Sequence, residues 1–471
     1  MPDNNIYNPP LSDDDFDRER MEHSRLRHRL LSGAWAEDLR QFLTREIGPV
    51  RLRAWGSDGD TTKNVFRNVV SQLSVLYDSP PIISHSVPGA AEELTRIVNG
   101  AGLWQLAGRM QQITIGLRES LYRLSVSNDE KNGPMLAVRI VTPDMVTAKP
   151  LLQDPDKPVK ISEYRMRLVD EEWEWTQDVC SIEDEPYFKI LSGDGKEDLS
   201  GRFLGVDGGL VGDAYPYWCE GKPCLPYVLY HAERTGHLFS PFFGSEIISG
   251  SLVVAVLWTF WRNCVKSASW PQRYAVGVRP AGGFVADSGQ NMAYIPTDPA
   301  SLLNFEPSTD ANPILGQFEP GSDPVSLGEA IRAYSADLSM DFGISETDLA
   351  RLGGSPRSGY AISLSREGVR NAQRRAEPQF MRGDLETLAK IAAFWNRAVP
   401  GAALPETGLE LAYPGAPMSS EEKNQAISEW QNLAEMGVAS PVDLYMLIHT
   451  VSRETATREL ERIALERARF Q

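Results

Sequence analysis

The chain has 471 residues, of which 42% are hydrophobic and 24% charged, and a formal net charge of −17. This is an ordinary globular composition, enough for about three domains of ~150 residues each. Its acidity argues against tight, sequence-independent nucleic-acid binding, which needs many cations on phosphates, but leaves room for nucleic acid held loosely in a cavity. Four cysteines, Cys180, Cys219, Cys224 and Cys264, are too few for a disulfide framework and point to a reducing compartment. The polar, acidic start MPDNNIYNPPLSDDDFDRER lacks the basic and apolar regions of a secretory signal.

Along residues 13–47, Leu31, Trp35, Leu39, Phe42 and Leu43 recur at helical spacing. Residues 61–79 and 91–127 also read as helices, separated by Pro80-Pro81 and Pro88. From 135 to 230 the pattern changes to alternating segments split by Asp, Gly and Pro clusters, which predicts a β-rich insertion. The charge run Asp170 to Glu174 inside it reads as a solvated strand face in preference to a cation site.

Helix is predicted again over Ser245 to Ser269. Its apolar run SLVVAVLWTFW, Ser251 to Trp261, is closed by Arg262 and is shorter than the ~18 residues of a membrane span. Trp258, Phe260 and Trp261 cannot share one face of a single helix, so neighbouring copies are expected to bury part of it. Residues 270–324 are rich in Pro and Gly and read as a small subdomain with short strands. Leu327, Ile331, Tyr334, Leu338 and Phe342 then share one helical face.

A glycine-rich, basic loop comes next in FGISETDLARLGGSPRSGYAIS, Phe342 to Ser363. It leads into the longest helical segment, Ala361 to Val399. Pro378 cannot donate to the carbonyl of Arg374 and is expected to kink it. The last 70 residues read as helical, with a capping box at Ser419 to Glu422 and a stop at Gly437.

The loop GGSPRSGYA lacks the lysine of a phosphate-binding P-loop and follows a helix instead of a strand. GSDGDTTKN, Gly56 to Asn64, also misses the P-loop spacing, and no G-x-G-x-x-G follows a strand. There is no G-x-S-x-G elbow and no H-E-x-x-H. CEGKPC, Cys219 to Cys224, has the form of half a metal site, but no second cysteine pair follows and His231 and His237 lack finger spacing. No catalytic residue, cofactor or metal is expected.

GISETDLARLGG, RRAEPQFMRGDLETLAKIAAFWN and LAEMGVASPVDLYMLI, with the order of the predicted parts, resemble the portal proteins of tailed bacteriophages. The resemblance covers most of the chain from about residue 60. It implies a mainly α, α+β portal fold that forms a ring. An N-terminal helical segment (1–60) precedes a wing (61–243), a first stem helix (244–269), a clip (270–323) and a second stem helix (324–345). A tunnel loop (346–360), a long kinked spine helix (361–400) and a crown (401–471) complete it.

The resemblance further implies a dodecameric homo-oligomer in the virion, at the capsid vertex, assembled in the host cytoplasm and not in a membrane. Its channel would pass double-stranded DNA, and its partners would be the large terminase, a head–tail adaptor and the major capsid protein. Arg351, Gly353, Gly354, Ser355, Arg357 and Ser358 are the expected tunnel-loop residues. Arg273, Arg279, Phe284 and Tyr294 are the expected docking residues on the clip. The competing readings are an acidic soluble α+β enzyme of unknown chemistry, or another phage structural or adaptor protein.

Overall fold

The computed structural model describes residues 10, 14–55, 59–129, 133–183, 186–203, 217–241, 246–269, 273–276, 278–280, 305–307, 314–317, 323–344, 367–414, 420–449 and 453–470. In chain order the helices are α1 (Asp15–Ser32), α2 (Ala36–Ile47), α3 (Pro49–Trp55), α4 (Val65–Leu73), α5 (Ala90–Gly100), α6 (Leu103–Leu117) and α7 (Ser200–Phe203). They continue with α8 (Glu246–Ser269), α9 (Pro324–Asp341), α10 (Glu367–Ala398), α11 (Ser420–Glu435), α12 (Pro441–His449) and α13 (Arg453–Phe470). The strands are β1 (Ile82–His85), β2 (Glu119–Asp129), β3 (Gly133–Val141), β4 (Val146–Leu151), β5 (Asp154–Val169), β6 (Glu172–Ser181), β7 (Tyr187–Ser192) and β8 (Tyr217–Cys219). After them come β9 (Lys222–Cys224), β10 (Tyr227–His231), β11 (Arg273–Val276), β12 (Val278–Pro280), β13 (Phe305–Pro307), β14 (Ile314–Gln317) and β15 (Leu409–Ala412). The protein is thus mixed α+β. It divides into two compact units, one of residues 1–34, 66–245 and 339–471, the other of residues 35–65 and 246–338.

The first unit is layered. Its middle layer is the antiparallel sheet β10-β2-β3. Tyr122, Leu124, Val228 and Tyr230 point from one face into a core shared with Met110 of α6 and with Phe380 and Leu388 of α10. Leu121 and Tyr227 point from the other face toward Ile161 and Cys180 of the four-stranded sheet β4-β5-β6-β7. Each fully buried side chain of this size contributes about 1.5–3 kcal/mol.

Between the two sheets lies a polar layer. Asp178 accepts from Arg123 at 2.5 Å and from Arg167 at 2.6 Å. Glu163 accepts from Arg123 at 3.0 Å, from the Tyr227 hydroxyl at 2.9 Å and from Arg139. Burial alone would raise the Asp178 carboxyl, but Arg123, Arg167 and Arg165 together hold it below the usual range. Helix α1 is pinned by arginines as well. Arg20 donates to the carbonyls of Pro143 and Val146 at 2.6 and 2.7 Å, and its guanidinium lies 3.9 Å from the Phe239 ring centre.

Several expectations are corrected. The stripe over 13–47 is two helices, because Gly33 takes a left-handed conformation (φ 90°) and closes α1. The helix expected over 61–79 is only α4. The helix expected over 91–127 is α5 and α6 followed by strand β2; α6 stops at Arg118, with φ 78°. As the central strand, β2 is buried on both faces from Glu119 to Leu124, so it lacks the alternation that marks a half-exposed strand. In the C-terminal region residues 401–414 hold no helix, only turns and β15, which pairs with β1 from Ile82↔Ala412 to His85↔Leu409. Four residues are too few to show a period.

Other expectations match the structure. Strands β3 to β7 occupy the predicted β-rich insertion. The charge run is exposed as expected, but only Glu172 to Glu174 lie on a strand; Asp170 and Glu171 (φ 49° and 73°) form the two-residue turn between β5 and β6, and Asp170 pairs with Arg202 at 2.8 Å. Gly437 (φ 73°) ends α11 as expected: its N–H bonds Ala434 O and that of Val438 bonds Leu433 O. The predicted capping box at Ser419 begins outside the described residues.

In the second unit α8 and α9 form an antiparallel pair. Gly250 lies against Leu338, and Gly328 against Trp261, so the start of one helix meets the end of the other. Trp261 Nε1 donates to Pro324 O at 2.8 Å. Between the two helices, β11 pairs with β14 and β12 with β13, making a ribbon in which the outgoing strands are answered by returning ones. The N-terminal part of this unit packs on α8: Asp60 N–H bonds Thr259 Oγ1 at 2.9 Å, and Lys63 sits 5.6 Å from the Trp258 ring centre.

Helix α8 corrects one expectation. The stretch Glu246–Lys266, 21 residues with mean hydropathy 1.3, is long and apolar enough to cross a membrane. Half of that window is buried within the protein, and the core helix of a soluble protein passes the same test.

Candidate functional site

A cleft of about 710 Å³ lies in the first unit along the outer edge of β10. The ladder explains why an edge is there. Leu124 N–H bonds Pro226 O and Ala232 N–H bonds Arg118 O, each at 2.8 Å, which fixes the phase of the β10–β2 pairing. In an antiparallel ladder alternate residues turn their backbone groups to the partner strand. Val228 and Tyr230 therefore face β2, while Tyr227, Leu229 and His231 turn theirs toward the cleft.

Helix α10 forms one wall with Gln379, Leu385 and Lys390, and the β4–β5 hairpin forms another with Leu151 and Pro158. The β8–β9 hairpin, turning at Glu220 and Gly221 (φ 52° and 71°), also lines it, as do residues 406–409. Glu406 accepts the Glu220 N–H at 2.6 Å and ties these last two together. Lys390 Nζ reaches the Tyr227 carbonyl at 2.6 Å and pairs with Glu386 at 2.7 Å.

The cysteines and the histidine here are held in their neutral forms. Burial pushes the thiols of Cys219 and Cys224 up to about 12 and about 11, so both stay protonated at neutral pH and are poor nucleophiles. Burial pushes His231 down to about 4 against the opposing pull of Asp156, leaving a neutral imidazole. Among the described residues no group of three or more His, Cys, Asp or Glu is placed to hold a metal ion, and CEGKPC forms the β8–β9 hairpin.

Beneath the α10 wall, Asp384 is buried among tyrosines. Its Oδ2 accepts from Tyr77 at 2.7 Å and Tyr413 at 2.5 Å, and its Oδ1 from Tyr230 at 2.8 Å. Burial pushes this carboxyl up to about 6, with the three hydroxyls pulling it back. The cluster joins α10 to the chain after α4, to β10 and to the chain after β15.

Arg351, Gly353, Gly354, Ser355, Arg357, Ser358, Phe284 and Tyr294 lie outside the described residues. Arg273 is in β11, opposite Gln317, and Arg279 in β12, opposite Glu306, so both are on the ribbon. Of the described residues, neither Arg273 nor Arg279 lines the cleft. Its determinants are the phase of a ladder and the packing of α10, neither of which has a sequence signature. No protein-family model matches the chain, and no curated protein matches it.

Proposed function

We propose that the chain is a portal-type subunit, one copy in a ring of about twelve around a DNA channel at the capsid vertex. In this role it is a structural conduit and docking platform for the packaging motor and then for a head–tail adaptor, and not an enzyme. The carrying observation is the second unit's antiparallel pair α8–α9 with paired short strands between the helices. It is the arrangement that the resemblance implies for two stem helices with a clip between them. The C-terminal elements also fit: α10 has 32 residues with Pro378 inside, and among the described residues the helices α11, α12 and α13 follow.

The charge agrees with the role. A channel must let a polyanion slide, and a net charge of −17 per copy favours weak, screened contact over grip. In a ring, neighbouring copies would complete the cover of Val253, Leu257, Trp258, Phe260 and Trp261 on α8, which are half-buried in the single chain. Negative-stain microscopy of the purified chain tests the reading: rings with a central opening support it, and a monomer or dimer at every salt concentration refutes it.

A further inference from the structure

We propose that the outer edge of β10 is a docking site for an extended polypeptide segment of a partner protein. About five residues long, uncharged and apolar at alternate positions, it would add to the sheet β10-β2-β3 as a fourth strand. The proposal does not depend on the ring.

Three observations carry it. The first is the edge itself. β10 ends its sheet, and Tyr227, Leu229 and His231 turn their backbone groups away from β2. Lys390 takes the Tyr227 carbonyl. Among the described residues nothing takes the Leu229 N–H or C=O. A donor and an acceptor on one edge residue are the pair that an antiparallel strand engages.

The second is the shape. The edge opens into a cleft and not onto a flat surface, with α10 on one side of the middle sheet and the β4–β5 hairpin on the other. A strand laid on β10 would send alternate side chains to the two walls, toward Leu385 and Leu409 on one and Leu151 and Pro158 on the other. The five residues of β10 set the length, and about 710 Å³ is within the usual range of ligand sites.

The third is charge. Lys390 pairs with Glu386 at 2.7 Å, Arg382 with Asp154 at 3.7 Å, and Arg234 with Asp156. The cations lining the cleft, Lys157, Lys222, Arg234, Arg382 and Lys390, stand against the carboxylates Asp156, Glu220, Glu386 and Glu406, so their charges nearly balance and the cleft suits the neutral, alternating donors and acceptors of a peptide backbone.

The test uses the full chain and a panel of blocked, fluorescein-tagged hexapeptides that alternate threonine with valine, leucine or phenylalanine. Binding is read by anisotropy, and hydrogen exchange is followed at the Leu229 amide. At least one peptide should bind and slow exchange at Leu229, and N-methylating its edge-facing amides should weaken it about tenfold or more, the loss of one or two backbone bonds. Leu229→Pro removes the edge N–H without costing a ladder bond and should weaken binding similarly. Ala389→Trp, which fills the α10 wall, should do the same if the proline variant does not fold. The proposal is overturned if no peptide slows exchange at Leu229, or if N-methylated peptides bind equally well. It is also overturned if Leu229 is already protected without peptide in a concentration-dependent way, which would give the edge to a second copy of the chain.

Discussion

Gly383 on α10 lies flat against the ring of Tyr230 on β10: a Cβ at position 383 would stand 2.4 Å from the ring's Cε1. That contact sets how closely the helix approaches the sheet. It also brings the Tyr230 hydroxyl to Asp384 and Thr387, each at 2.8 Å. Gly383→Ala should therefore cost about 2–4 kcal/mol in urea unfolding, from overpacking and disrupted hydrogen bonds. Gly108→Ala in α6 meets nothing within 4 Å and should instead stabilise by about 0.5–1 kcal/mol. Equal effects at the two sites would remove the argument for close packing at Gly383.

Asp384 makes stability depend on pH in an unusual direction for a carboxylate. Its ordinary value of 3.8 is raised to about 6 in the folded protein, so folding favours the protonated form. The contribution is complete below about pH 4 and is lost as pH rises to about 6, by something of the order of 3 kcal/mol. Asp384→Asn cannot titrate. The stability difference between wild type and Asp384→Asn should therefore move against the wild type between pH 4 and pH 6, then level off. Using the difference cancels other groups that shift the same way, such as Glu119, pushed up to about 7 by burial. A difference that is constant from pH 4 to 7 would contradict the assignment.

Asp178 should be far more sensitive than a surface acid. Removing it leaves buried Arg123 and Arg167 without one of their partners, which costs about 3–5 kcal/mol at such sites. Asp178→Ala should lower the thermal midpoint sharply. Arg453→Ala breaks an exposed 2.8 Å pair with Asp443 and should leave the midpoint unchanged.

Much of the architecture is legible in the sequence because it repeats. Helices α8, α9 and α10 show a continuous apolar pattern, and β3 to β7 alternate between turn-forming clusters. Strand β2 is misread because burial on both faces erases its alternation, and β15 because it is too short. The cleft is not legible at all. Tyr77, Tyr230 and Tyr413 meet Asp384 from positions 307, 154 and 29 residues away, and the free edge of β10 is a property of backbone phase. CEGKPC suggests cysteine chemistry, yet its part in the structure is a turn that lines the cleft.

For the proposed channel, the double change Arg351→Ala and Arg357→Ala should leave assembly intact and alter DNA packaging or retention. The effect should be largest at low salt, where the Debye length is long. Normal packaging at every ionic strength would count against a role for this loop at the DNA.

The ring itself is the central claim, and mass photometry of the purified 52.3 kDa chain tests it most directly. The account predicts a dominant species near 630 kDa, about twelve copies, that persists across salt concentrations. A single peak at the mass of a monomer or dimer under all of those conditions would contradict it.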